Sequence, residues 1–397
     1  MLLHEARLFS GVATGLHSLN PPTRTCSGLT LNRRAVLNAV SGGLALPLIA
    51  PRLSLRSRAQ DDRPWPADGW ETVDPDEIGI DPAVFEQATS RLRTETPALS
   101  ALVVAVGGRL VFEYYVDGFA DDDSTDIWSS TKSVTSAVIG IAIDDGLLAL
   151  DDRIGDLLGD RLPADADPAT AEITVRDLLT MTSGWAWDGT VDYANLDNTD
   201  DWATRTLSLP IVAAPGEAFT CNSGNCHVMS VILQTVSGRT MREFAQEQLF
   251  GPIGIEISDW LGSPQDETAG GWGLFLTPRE MASFGYLMLN GGAWDGEQIV
   301  PAGWVSESTR FQVTPSSTND FGGGTGYGYY WWLDEVAGFP ARFSLGYDES
   351  SIYVVPELDL VMVAATPEVP ALDEPGLQTR PRPIMWETIA PGVAGLM

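Results

Sequence analysis

Ser129-Ser130-Thr131-Lys132 sets a hydroxyl and an amine three residues apart, and on a helix that spacing puts both side chains on one face. A serine hydroxyl is a poor nucleophile until something takes its proton. A lysine can do so where burial lowers its pKa from about 10.4; where it stays charged, it stabilises the alkoxide instead. Composition singles this lysine out, because every other base of the chain is Arg. Arginine is always protonated and cannot replace a neutral amine. A helix N-terminus would add partial positive charge and free N–H groups where an oxyanion forms. The chemistry implied is acyl transfer through Ser129. The bland alternative is that Ser130 or Thr131 merely caps a helix.

Such a pair needs a rigid helix and something facing it. Ser129 to Leu148 reads as a long apolar helix without internal Pro, stopped at Gly146. Pro82 to Thr94 has the apolar spacing of an earlier helix, and Ala101 to Val116 is a pair of β-like runs around Gly107-Gly108, a hairpin signal. Residues 149–240 carry helical patches, among them Asp177 to Met181 and Val228 to Thr235. From Gly322 the chain turns to Gly- and aromatic-rich strand runs: Tyr327 to Leu333, Ala341 to Leu345, Ile352 to Val355 and Leu360 to Ala364. Ile384 to Val393 is amphipathic and predicts a closing helix. Strands at both ends with helices between them predict an α/β (α+β) fold. One antiparallel sheet is built from both chain ends, with a helical lobe inserted over about 149–320. Clefts form where such lobes meet a sheet, and Ser129 falls at that junction.

The 397 residues carry 54 acids against 23 bases, a net charge of −31, with 44% hydrophobic residues and 3 Cys. Disordered, collagen-like and disulfide-scaffold classes are excluded. The charge argues against nucleic acid and anionic membrane as partners. The longest apolar run, Ala35 to Ala50, is about 16 residues, short of the roughly 20 a spanning helix needs. Asn32-Arg33-Arg34-Ala35-Val36-Leu37 puts paired arginines directly before that run, which resembles a twin-arginine export signal. Residues 1–60 are therefore read as a leader and 61–397 as the hydrolase domain, exported to the periplasm, cell surface or medium. An ordinary N-terminal helix is the alternative.

The segment Ile127-Trp128-Ser129-Ser130-Thr131-Lys132-Ser133-Val134-Thr135-Ser136 resembles the nucleophile segment of the serine β-lactamase and penicillin-binding-protein superfamily. The closer resemblance is to its class C-like esterase and 6-aminohexanoate-dimer hydrolase branch. Ile173 to Trp185, Pro215-Gly216-Glu217-Ala218-Phe219, Gly270-Gly271-Trp272-Gly273-Leu274, Thr277-Pro278-Arg279-Glu280 and Tyr353 to Val361 are similar to further motifs of that branch, in its order. The resemblance implies a β-lactamase-like fold and a serine hydrolase that needs no metal or other cofactor. The expected substrate is a small-molecule ester or amide; the oligomeric state is left open.

Two motifs depart from the pattern. Where the resemblance implies a proton-shuttling Tyr, the chain has Cys221 in Thr220-Cys221-Asn222-Ser223. Its thiol could relay a proton, with a nearby Lys⁺ lowering its pKa, or it could pair with Cys226 in a disulfide. Tyr193 belongs to a Tyr-x-Asn string but lacks the Pro-Gly lead-in, so it is read as a cleft-lining loop residue; Ser223 is taken as a further substrate-binding candidate. The third motif is Gly346-Tyr347-Asp348-Glu349-Ser350. Gly346 survives, so the N–H of Tyr347 could join that of Ser129 in an oxyanion hole, which needs only main chain. Two adjacent acids, Asp348 and Glu349, are electrostatically unhelpful beside an oxyanion site; pointing outward, they are merely a solvated turn. His227 is the one histidine outside the leader, too few for a zinc site or a Ser-His-Asp triad. Of the many aromatics, Trp185, Trp187, Trp272, Trp331 and Trp332 are divided between core and cleft. The leading expectation is a secreted serine hydrolase with Ser129 as nucleophile and Lys132 as base. The rival is a non-catalytic or weakly active relative that binds a cell-wall fragment or a partner in the same cleft.

Overall fold

The computed structural model describes residues 63–397 apart from 67–68, 98, 317–322, 367–379 and 397. The leader expected over 1–60 lies outside the described residues. After helix α1 (Ala83–Glu95), strands β1 (Ala101–Val106) and β2 (Arg109–Tyr115) form the expected hairpin. Its turn is Gly107-Gly108, at φ 59° and 82°, which only glycine adopts without strain and which matches the right-handed twist of the two strands.

The other strands are β3 (Thr125–Asp126), β4 (Asp259–Trp260), β5 (Leu274–Leu276), β6 (Ala293–Trp294), β7 (Glu297–Gln298) and β8 (Gly326–Tyr327), followed by β9 (Trp332–Val336), β10 (Phe339–Leu345), β11 (Ser351–Val355) and β12 (Leu360–Ala365). Five of them join β1 and β2 in one seven-stranded sheet in the order β2-β1-β12-β11-β10-β9-β8. The pairing of β1 with β12, Ala101 opposite Ala365 through Val106 opposite Leu360, joins the two ends of the chain as expected. Both strands are buried along their whole length, which explains why they read as continuous apolar runs rather than alternating ones. A helix α7 (Pro278–Leu289) covers one face, opened by a Thr277–Glu280 capping box. On α1, Phe85 stacks on Phe112 of β2 at 4.9 Å, and the C-terminal helical segment packs on α1.

Between the two groups of strands lie helix α2 (Thr131–Asp144) and the helices of the intervening segment, of which α3 (Val175–Leu179), α4 (Gly189–Asp197), α5 (Trp202–Leu207) and α6 (Ser223–Ser237) concern the site. Every residue of α2 from Thr131 to Ala142 is buried. A helix buried on all sides is a central one, and it fixes whatever stands at its N-terminus. None of the described helices is long and apolar enough to cross a membrane.

Three local expectations are corrected. The helix expected from Ser129 starts at Thr131, Trp128–Ser130 forming a tighter 3₁₀ turn before it. Tyr327 to Leu333 is not one strand: β8 and β9 are separated by residues 328–331, with Tyr330 at φ 61°. The closing helix over 384–393 contains a π-type turn at Met385–Ile389.

Candidate active site

Ser129 stands on a bent turn. Trp128 before it has φ 53°, a left-handed conformation that costs a bulky residue on the order of 1–3 kcal/mol. The Asp126 carboxylate holds that turn, one oxygen accepting the N–H of Trp128 at 2.7 Å and the N–H of Gly273 at 3.1 Å. Ser130 is no ordinary cap: its hydroxyl donates to the Ser350 carbonyl at 2.9 Å and accepts from Ser344 at 3.0 Å, tying the turn to β10 and β11. Ser129 itself stays partly accessible.

Lys132, the second residue of α2 and 5% exposed, has its Nζ 2.6 Å from Ser129 Oγ and donates to the Gly271 carbonyl at 3.0 Å. The expected pair is thus in contact. Gly271 also abuts the start of α6: a Cβ added to it would stand 3.4 Å from that of Ser223 and 3.2 Å from that of Cys226. Ser223, 3% exposed, shares a hydrogen bond between hydroxyls with Tyr193. Tyr193 lies on α4, not on the loop expected for it. Its ring is held edge-on by Trp187 at 5.5 Å and by Trp272 at 5.6 Å, both at 82°. Trp185 and Trp331 are fully buried core residues, and Trp332 packs against Phe219 and Tyr327.

The third motif reaches the nucleophile turn from the sheet side. A Cβ at Gly346 would fall 2.6 Å from the Ile127 carbonyl and 2.9 Å from Trp128 Cβ, so only glycine fits there. The Tyr347 ring tilts against Trp128 at 5.4 Å. Ser129, Lys132, Ser223, Tyr193, Gly346 and Tyr347 are therefore gathered at one place. The reading of Asp348 and Glu349 as a solvated turn is corrected in part. Glu349 Oε2 accepts the Arg382 N–H at 3.1 Å and Oε1 lies 3.7 Å from Arg382 Nε, which turns that carboxylate into an ion pair.

The disulfide and the lowered thiol expected as alternatives for Cys221 are both corrected. Both cysteines are free thiols: Asn222 caps α6, so Cys226 is carried into the buried body of the helix and does not bridge back to Cys221. Burial pushes the Cys221 thiol up, the charge of Lys132 opposing only in part, whereas a lowered value was expected. Burial likewise pushes Cys226 up to about 12. Asn222 is itself fixed by its N–H to Met181 Sδ at 3.4 Å, in the segment that follows α3.

His227 is a fully buried residue of α6, as expected of a helix position. Sequence reasoning did not anticipate its partner: Nε2 lies 3.4 Å from Glu267 Oε2, and Glu267 also pairs with Arg161. It also missed Asp126 and the Gly271 carbonyl. A signal existed in Gly270-Gly271-Trp272-Gly273, since consecutive glycines mark close backbone approach; for Asp126 there was none beyond its position before the nucleophile.

Known proteins share this arrangement of chain. The Beta-lactamase family matches residues 85–377. The 6-aminohexanoate-dimer hydrolase of Paenarthrobacter ureafaciens is 24% identical over 295 residues, 68% of this chain and 73% of that protein. Lovastatin esterase of Penicillium rubens is 26% identical over 193 residues, 43% of this chain and 48% of its own. The solved structure of a D-stereospecific amidohydrolase from Streptomyces sp. overlays with a TM-score of 0.58 at 17% identity, covering 72% of this chain and 93% of that one. With its sheet joined from both ends, a hydroxyl–amine pair at the head of a buried helix, and a family match over most of its length, the chain belongs to the β-lactamase family and is a serine hydrolase of the β-lactamase type.

Proposed function

We propose that the protein is an exported hydrolase that cleaves a small ester or amide through an acyl-enzyme on Ser129. The observation that carries this reading is the 2.6 Å contact between Lys132 Nζ, on the buried helix α2, and Ser129 Oγ in the turn before it. Lys132 takes the Ser129 proton as Oγ attacks the substrate carbonyl, and its remaining hydrogen bond to Gly271 keeps it aimed. The N–H groups of Ser129 and Tyr347 receive the oxyanion, a role that the close fit of Gly346 against Ile127 and Trp128 supports. Water then repeats the sequence on the acyl carbonyl and frees Ser129. Trp128 and Tyr347 on one side, and Tyr193 and Trp187 on the other, offer aromatic surface and so favour an uncharged acyl group. The names of two relatives, a 6-aminohexanoate-dimer hydrolase and a lovastatin esterase, support hydrolysis of a small molecule.

Labelling with a fluorophosphonate, located by mass spectrometry, tests this reading: Ser129 should carry the adduct and Ser129→Ala should carry none. A screen of one nitrophenyl ester, one lactam and one D-alanyl amide then ranks the substrate classes. An adduct elsewhere, or none in the wild type, would reject the nucleophile. Export is tested separately by comparing secretion from hosts with and without a twin-arginine translocase, for the intact chain and for Arg33→Lys/Arg34→Lys.

A further inference from the structure

Lys132 can take the Ser129 proton only while its lone pair points at Oγ. A neutral amine has one lone pair and two N–H bonds, so the place where an N–H is anchored decides where the lone pair aims. That anchor is the Gly271 carbonyl, 3.0 Å from Nζ. Neither Gly271 nor Gly270 before it has a side chain that could fix the peptides of this buried turn. Packing confines the turn from one side: a Cβ on Gly270 would stand 2.0 Å from the Cys226 carbonyl oxygen, so the glycine lies flat against α6. From the other side it is gripped by α2. Thr135, three residues after Lys132 and so on the same face of that helix, donates its hydroxyl to the Gly270 carbonyl at 2.6 Å. Lys132 and Thr135 thus hold two successive carbonyls of one turn. Thr135 is fully buried, and the only other partner of its hydroxyl is Met241 Sδ at 3.4 Å, a weak acceptor, so its single hydrogen belongs to Gly270.

We propose that Thr135 is a positioning residue of the acyl-transfer step, an inference that rests on the Ser129 hydrolase reading above. By fixing the Gly270 carbonyl it sets the orientation of the Gly270-Gly271 turn, and through the next carbonyl it aims Lys132 at Ser129. Thr135 makes and breaks no bond itself; the proton still passes from Ser129 Oγ to Lys132 Nζ as Oγ bonds the substrate carbonyl carbon. The competing account is that Thr135 only satisfies a buried carbonyl and contributes stability.

Valine has the shape of threonine without the donor, and serine has the donor without the methyl group. Hydrolysis of p-nitrophenyl butyrate, fluorophosphonate labelling and thermal melting should be measured for the intact wild-type chain, Thr135→Val, Thr135→Ser, Lys132→Ala and the double variant, at equal amounts of folded protein. Thr135→Val should lose about 10- to 10²-fold in kcat, with KM within a few-fold and the labelling rate falling in parallel. Thr135→Ser should stay within a few-fold of the wild type in kcat, although the lost methyl leaves a gap in the core and lowers Tm. Activity and stability then rank the two variants differently, which a role in stability alone would not produce. In the Lys132→Ala background Thr135→Val should cost no further rate, because the group it aims is gone. Wild-type kcat in Thr135→Val, an equal loss in Thr135→Ser, or the same fold loss with and without Lys132 overturns the positioning role and leaves the hydrolase reading standing. Should Thr135→Val not fold, Thr135→Cys, with a weaker donor, takes its place: an intermediate kcat is expected, and wild-type kcat overturns the role. A wild type that neither labels nor cleaves removes the hydrolase reading and the positioning role with it.

Discussion

The Asp126 carboxylate accepts the N–H of Trp128 at 2.7 Å, fixing from one side chain the left-handed residue that presents Ser129. Because the same oxygen also binds Gly273, it ties the nucleophile turn to the strand after Gly271. Asp126→Ala should release the strain at Trp128 and leave two N–H groups without that acceptor, costing about 1–3 kcal/mol of stability. The turn would then relax away from the reactive geometry. The expected outcome is a fall in kcat with KM little changed, read from Michaelis curves on a nitrophenyl ester and from thermal melting.

Lys132 tests the base directly. Lys132→Ala should lower kcat by roughly 10²- to 10⁴-fold, and Lys132→Arg should not recover it, because a guanidinium keeps its proton. If Arg restores the rate, the amine acts only through its charge. The comparison is made on equal amounts of folded protein, since Lys132 also satisfies the Gly271 carbonyl.

How much of this was legible beforehand follows from distance along the chain. Ser129 and Lys132 lie three residues apart across the start of α2, and β1, β11 and β12 are runs of buried residues, so local pattern sufficed for the contact between that pair and for the sheet. Tyr193 was assigned to a loop for want of the Pro-Gly lead-in, whereas it lies on α4 and meets Ser223 only through the packing of that helix. Glu349 read as solvent-facing because Arg382 is far along the chain. The Gly271 carbonyl is main chain and leaves no signature of residue type. Cys221 was misjudged because a neighbouring cation was weighed and the burial that overrides it was not visible.

For Cys221 the expectation is now a negative one. With the thiol raised by burial and no disulfide to Cys226, Cys221→Ser and Cys221→Ala should both keep kcat within a few-fold, and reductant should leave activity and Tm unchanged. A large loss in Ala that Ser recovers would restore the thiol as the proton carrier.

Gly346 should be intolerant of any side chain. Its Cβ position lies 2.6 Å from the Ile127 carbonyl oxygen, a backbone atom that cannot swing aside, and 3.2 Å from Ser350 Cβ. Gly346→Ala must therefore push the Tyr347 segment away from the nucleophile turn. Loss of one oxyanion donor costs about 10²- to 10³-fold in kcat, and a fall of that size is expected. Labelling by fluorophosphonate, which also builds charge on an oxygen at the same place, should slow in parallel. Unchanged labelling together with unchanged kcat would place the oxyanion elsewhere.

The acid limit of stability should trace to Glu267. Burial raises its carboxyl, but the neighbouring His227 and Arg161 outweigh that and hold it below the ordinary value of 4.5. The folded protein therefore binds fewer protons at this site than the unfolded chain does. The sign follows: the contribution is fully present above the unfolded value and is lost as pH falls through it toward the lower folded one. Since Glu267 is 4% exposed, protonating it breaks contacts that water does not replace. Thermal melting from pH 7 to pH 3 should show a fall in Tm below about pH 4.5, and Glu267→Gln should start lower at pH 7 by about 1.5–3 kcal/mol and fall less steeply. A variant with the wild-type acid slope would shift the acid sensitivity to other paired carboxylates, of which Glu113 with Arg279 at 2.8 Å is the next to test.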